Sequence, residues 1–217
     1  YRGFGHRMVT LIGSYPTKEM IRHTNERPYA KEKTVLGRIG SIYQDNGIEE
    51  IIKGFKLISP KNNGVELLLA GRVFDSYKDT FARIMNGLES RVKVSGAFDS
   101  REMPTLYSQI DVSIIIYHRS AWFKNITPTK FFDSLAVGVP VIASDMGGLR
   151  EIIEQYQCGI VVDERNSEEV AQAITMMCQN PTLRHEMGLN GLRAIEERYN
   201  WEHMKERLLK IYGTLLQ

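Results

Sequence analysis

Cysteine is scarce in this 217-residue chain: there are two, Cys158 and Cys178. Both lie in apolar surroundings and read as reduced core thiols, not as a disulfide framework. Charge of one sign is lacking too. The formal net charge is +2 and no basic run is dense, which argues against nucleic acid as the main partner. No apolar run approaches the roughly 18 residues that a membrane span needs. The five histidines (His6, His23, His118, His185 and His203) are scattered without metal-ligand spacing, so no metal and no cofactor is expected. No strand leads into a Gly-x-Gly-x-x-Gly turn, and the chain holds neither a Walker lysine loop nor a Gly-x-Ser-x-Gly elbow.

What is present is an alternation. "TVLGRI" (34–39), "VELLLAG" (65–71), "RVKVSG" (91–96), "DVSIIIY" (111–117), "VPVIAS" (139–144) and "GIVVD" (159–163) are short, apolar runs rich in β-branched residues, without a polar side. That is the pattern of a parallel sheet covered on both faces. Between them, Ile48, Ile51, Ile52, Phe55 and Ile58 mark one helix face, and 76–88 carries a similar pattern. The spacing predicts a doubly wound α/β sheet of about six strands. The tail is helical: Ser167 reads as an N-cap, Pro181 opens the next helix, and Trp201 and Tyr212 on the last read as packing anchors. Residues 1–32 fit the alternation poorly and read as a connector. The opening "YRGFGHRMVT" has no initiating Met and no signal-peptide pattern, which suggests a start inside a longer protein.

In an open α/β sheet, ligands bind at the carboxyl ends of the strands, which nominates the loops after residues 38, 71, 96, 117 and 144. The segment "NITPTKFFDSLAVG" is the most unusual of these. Thr127 reads as an N-cap and Pro128 as the first helical residue, leaving Lys130 in the first turn. A cation is unfavourable against the helix dipole there, and makes sense where an anion shares the site. Asp133, one turn on, suits the vicinal hydroxyls of a ribose. The two equally fit an ordinary i,i+3 ion pair on a surface helix. Arg38 follows Gly37 at the end of the first strand, where a guanidinium can clamp a diphosphate or simply lie in a loop. "DNG" (45–47) reads as a turn and cap, the pair Gly147–Gly148 lets the backbone approach a ligand, and His118 is the one histidine at this edge.

Taken together, "TPTKFFDSLAVGVPVIASDMGGLREIIEQYQCGIVVD", "TVLGRIGSIYQDNGIEEIIKGFKLI", "RVKVSGAFDSREMPTLYSQIDVSIII" and "NPTLRHEMGLNGLRAIEERYNWEHMKERLLKIYGTLL" resemble the donor-binding half of retaining glycosyltransferases of family four, with the GT-B fold. The resemblance covers residues 33–217. It implies a Rossmann-like donor domain over 33–200, a crossover helix over 201–217, and a connector over 1–32 from a missing acceptor-binding domain. The fragment alone is then expected to be inactive. By this likeness Arg38, Thr127, Thr129 and Lys130 hold the diphosphate of a nucleotide sugar, Asp133 holds the ribose, and the backbone of Ala97 and Phe98 borders the base. Asn125, His118, Gly147 and Gly148 border the donor sugar. The chain departs from the family at Asn125, where a carboxylate is usual, and at Asn46, where a lysine is usual. The implied function is sugar transfer in glycan or surface-polysaccharide biosynthesis, in the cytoplasm or at the inner membrane face, onto a glycan or lipid-linked glycan. The resemblance further implies peripheral membrane association of the full-length protein. Two alternatives remain open here: an epimerase or hydrolase of the same architecture using His118, and a binding module that has lost its chemistry.

Overall fold

A computed structural model describes residues 15–21, 33–58, 64–119 and 126–215. Six strands form one sheet: β1 (Thr34–Ile39), β2 (Val65–Ala70), β3 (Val92–Gly96), β4 (Val112–Ile115), β5 (Val141–Ser144) and β6 (Gly159–Val162). Their order is β3-β2-β1-β4-β5-β6 and every pairing is parallel. β1 and β2 run in step from Thr34 beside Val65 to Ile39 beside Ala70. After β3 the chain returns to the other side of β1, so the order reverses between β1 and β4. A crevice opens at the carboxyl ends of strands at such a reversal.

The absence of a polar side in the strands has a direct structural consequence. Successive side chains point to opposite faces, and both faces are covered except at the edge strand β3, where Lys93, Val94 and Ser95 are exposed because no helix packs over them. Leu67, Leu69, Ile114 and Ile116 enter a core beneath α1 (Ile48–Leu57), α2 (Lys78–Met85) and α6 (Ser167–Gln179). Leu68 and Ala70 turn the other way, toward α3 (Met103–Ser108). Ile115 and Tyr117 meet α4 (Thr129–Ala136), α5 (Leu149–Tyr156) and α7 (Pro181–Glu197). Each fully buried Ile or Leu contributes about 2 kcal/mol, so both faces help to hold the sheet.

Several boundaries move for identifiable reasons. β5 starts at Val141, not at 139, because Pro140 has no N–H and the Val139 amide donates to Ser134 O at 2.9 Å. β4 stops at Ile115 because the next amides are claimed elsewhere. Tyr117 N donates to Ser144 Oγ at 3.1 Å and His118 N to Asp45 O at 3.2 Å. The expected helix over 76–88 opens as a 3-10 turn, Asp75–Tyr77, and its α part ends at Met85. Asn166, not Ser167, caps α6: its side chain accepts from Glu168 N at 3.1 Å and Glu169 N at 3.2 Å. Trp201 and Tyr212 do not anchor α8 (Trp201–Leu215); they are 40% and 61% exposed, while Met204 faces the core.

Tyr15 packs edge-on against Phe132 at 4.8 Å, and Pro16 O accepts from Trp201 N at 3.0 Å. The segment 15–21 thus lies against α4 and α8. Among the described residues no helix is long and apolar enough to cross a membrane.

Candidate functional site

At the strand reversal the end of β1, the residues after β4 and the start of α4 converge. Arg38 is fully buried: Nη1 donates to Ile39 O at 3.0 Å, Nη2 to Ser41 O at 3.4 Å, and Nε has no partner. Lys130 reaches toward the same point. A methyl group on Gly40, whose φ is +124°, would lie 2.4 Å from Lys130 Nζ and 3.2 Å from Arg38 Nη1. The positive φ favours glycine at position 40, and its missing side chain leaves room for the ends of two cationic side chains. Tyr117 lies against both of them. Arg38 Cζ and Lys130 Nζ stand 5.4 Å and 5.2 Å from its ring centroid, and Nζ donates to its phenol oxygen at 2.5 Å.

Two cations therefore share a largely desolvated corner, and among the described residues no carboxylate lies within 4.0 Å of either. Burial first, and the Arg38 charge second, push the Lys130 ammonium down to about 6, with Asp133 opposing the shift. Buried charges are normally paired or neutralised. An arrangement of this kind is completed by an anion.

Lys130 and Asp133 do not pair with each other. Lys130 turns to the sheet edge, whereas Asp133 enters a cavity of about 550 Å³ with Tyr15, Met20, Met103, Pro104 and Tyr107. Burial raises the Asp133 carboxyl to about 6, against the pull of Lys130. The i,i+3 ion pair expected on one reading is therefore absent. Thr127 does not cap α4. Pro128 takes that position, no side chain caps the helix, and Thr127 Oγ1 instead donates to Gly147 O at 2.6 Å. Phe131 N donates to Pro128 O at 3.0 Å, which leaves the Thr129 and Lys130 amides at the helix start for an anion.

Gly147 is required by close approach, though to protein. Its φ is +52°, and a Cβ there would sit 2.3 Å from Ile126 O. Gly148, at φ +80°, is the N-cap of α5. His118 belongs to a neighbouring cluster on the α1 side, with Nε2 2.8 Å from Glu50 and Nδ1 3.6 Å from Asp45. Asn46 is fully buried; its Nδ2 donates to Ser41 O at 2.7 Å and its Oδ1 has no partner. The Phe98 side chain packs beside the α3 core, and Ala97 is exposed. Asn125 lies outside the described residues. Among them, no group of three or more His, Cys, Asp or Glu is placed to hold a metal ion.

Sequence reasoning did not single out Tyr117 or Glu50, and it read Asp45 only as part of a turn and cap, whereas Gly47 is the N-cap of α1 and no side chain caps it. For Tyr117 a signal existed: an aromatic residue at the carboxyl end of an apolar strand, at the strand reversal. Glu50 and Asp45 gave none, since an acid at a helix start is ordinary.

The fold and this crevice define a parallel, doubly wound domain of the kind that holds ligands at a strand reversal. A family model described as "Glycosyl transferases group 1" matches residues 20–194, and the chain belongs to that family. It is 25% identical over 185 residues to a capsular polysaccharide biosynthesis glycosyltransferase, CapM, of Staphylococcus aureus, covering 84% of this chain and 47% of the relative. Its fold matches the C-terminal domain of a group 1 glycosyl transferase, LpcC, of Francisella tularensis. There the TM-score is 0.68 at 20% identity, over 86% of this chain and 96% of that one. It also matches Anabaena HepE in complex with UDP and glucose, with TM-score 0.72 at 19% identity over 84% of this chain and 49% of that one. The chain spans about half the length of the curated relatives it matches.

Proposed function

We propose that this chain is the donor-binding half of a retaining glycosyltransferase that moves a sugar from a nucleoside diphosphate to an acceptor. The observation that carries the reading is the pair Arg38 and Lys130, desolvated together at the strand reversal without a carboxylate partner. The diphosphate meets Lys130 and the first-turn amides from Thr129. Arg38 adds its charge from behind, with its side-chain donors on the carbonyls of residues 39 and 41. These groups stabilise the diphosphate as it departs from the sugar, because fixed charges and dipoles act strongly in a water-poor site. The donor needs no metal in this scheme. The ribose enters the cavity beside Asp133, whose carboxyl can exchange the apolar surroundings of Met20 and Met103 for two hydroxyl partners. In this reading the base is bordered by Ala97 and Phe98, which lie outside that cavity's lining.

Acceptor contacts come from a further domain of the full-length protein, to which residues 1–32 connect and α8 returns; the chain alone binds donor and turns over little. The similarity to a capsular polysaccharide biosynthesis glycosyltransferase supports a role in glycan synthesis; in this reading the acceptor is a glycan or lipid-linked glycan, used in the cytoplasm at the inner membrane face. Incubating the full-length protein with nucleotide sugars and candidate acceptors tests the reading. Transfer with retention of anomeric configuration is expected. An epimerised or hydrolysed donor without acceptor would instead favour the His118–Glu50 pair as an acid–base couple. Binding without any turnover would make the chain a sensing module.

A further inference from the structure

We propose that Tyr117 is a positioning residue of this site: its phenol oxygen and ring face hold the Lys130 ammonium beside Arg38 and aim it at the incoming diphosphate. The inference rests on the reading that a nucleoside diphosphate binds here, and assigns a new role within it.

Three observations support it. Tyr117 is itself fixed, because the fully buried Ser144 hydroxyl accepts from Tyr117 N at 3.1 Å and donates to Tyr117 O at 3.2 Å. Its ring, 7% exposed, is shared by both cations at 5.4 Å and 5.2 Å, where the negative π face offsets part of their mutual repulsion. Its oxygen takes one of the three ammonium donors at 2.5 Å, which fixes the direction of the other two. Without that acceptor a long lysine side chain has several rotamers available and must be ordered on binding.

The charged and titratable groups around Lys130 are few. Arg38 faces it from β1, Asp133 acts on it from α4, and Tyr107 on α3 donates to its backbone carbonyl at 3.3 Å. None of these is an acceptor within bonding distance of Nζ. Tyr117→Phe therefore removes the oxygen that accepts from Lys130 Nζ and keeps the ring that both cations share. Burial and Arg38 favour the neutral amine, and an acceptor oxygen favours the ammonium. Tyr117 thus also sets the pH up to which Lys130 presents a charge to the ligand.

The test is isothermal titration of the full chain with uridine and guanosine diphosphates, with the free nucleosides as controls, between pH 6 and pH 9. The proteins are wild type, Tyr117→Phe, Lys130→Met and the double variant. Tyr117→Phe keeps the ring and removes only the oxygen. It is expected to weaken diphosphate roughly tenfold, leave nucleoside binding unchanged, and move the alkaline fall-off in diphosphate affinity to lower pH. In the Lys130→Met background the same change should alter affinity by less than about twofold. Wild-type affinity in Tyr117→Phe, a loss that persists in Lys130→Met, or an unmoved pH profile would each overturn the role of Tyr117 while leaving the site intact. Should wild type bind no diphosphate at all, the functional reading falls and this proposal with it.

Discussion

A lysine that is buried to receive an anion should weaken the fold that holds it, and Lys130→Met measures by how much. The folded-state pKa of Lys130 is about 6, against an ordinary value of 10.5. Between those values the unfolded chain binds one more proton than the native chain, so wild-type stability should rise with pH across this window. At about 1.36 kcal/mol per unit, the penalty at pH 7 is on the order of 4 kcal/mol. Methionine has similar length and needs no proton, but it loses the hydrogen bond to the Tyr117 oxygen, worth about 1 kcal/mol. The variant should therefore be more stable than wild type at pH 7 by about 2–3 kcal/mol. In urea that moves the midpoint upward by roughly 1 M, at a slope of about 2–3 kcal/mol per M. Near pH 10 the advantage should vanish, because the unfolded lysine no longer gains from protonation. Urea titrations at pH 7, 8.5 and 10 follow the difference directly. A variant that is less stable at pH 7, by the same amount at every pH, would show that Lys130 is a satisfied cation and refute the argument.

The other predictions concern neighbouring residues. Asp133→Asn should stabilise the fold at neutral pH, because the native carboxyl, at about 6 against 3.8 unfolded, holds the extra proton in between, so wild-type stability falls as pH rises through that window. The same variant should lose the preference for ribo- over 2′-deoxyribonucleoside diphosphates, and calorimetry with both ligands checks it. Arg38→Ala should weaken nucleoside diphosphate about tenfold more than nucleoside, because a positive charge buried behind the site is removed. It should also destabilise the fold, since Ile39 O loses the Arg38 donor and Ser41 O keeps only Asn46 Nδ2; thermal unfolding reports that part. Gly147→Ala meets the Ile126 carbonyl and a strained φ, and should cost about 1–3 kcal/mol in chemical denaturation without changing net charge.

Much of this arrangement was legible in the sequence, for reasons that differ from residue to residue. Runs without a polar side predicted a sheet buried on both faces, since only helices on each side satisfy that pattern. Lys130 was legible because it opposes the helix dipole, and such local conflicts mark sites. Its separation from Asp133 was not. Three residues along a helix leave two side chains within reach of each other or of different neighbours, and tertiary packing decides. Here Tyr117 and Arg38 draw one aside, and the cavity beside Met103 receives the other. The cap of α4 was misassigned because Thr127 fits the cap preference, but its hydroxyl found the Gly147 carbonyl twenty residues on. The Asn166 cap differs by one position from Ser167, a distinction that propensity does not make.

The central claim is that the crevice between β1 and β4 holds the diphosphate of a sugar donor. Co-crystallisation of this chain with uridine diphosphate tests it most directly. Phosphate oxygens are expected within hydrogen-bond distance of Lys130 Nζ and the Thr129 amide, with the ribose hydroxyls on the Asp133 carboxylate. A diphosphate bound instead in the polar cleft where Arg119 and Arg150 flank Asp145, beyond the ends of β5 and β6, with Lys130 still on Tyr117, would contradict it.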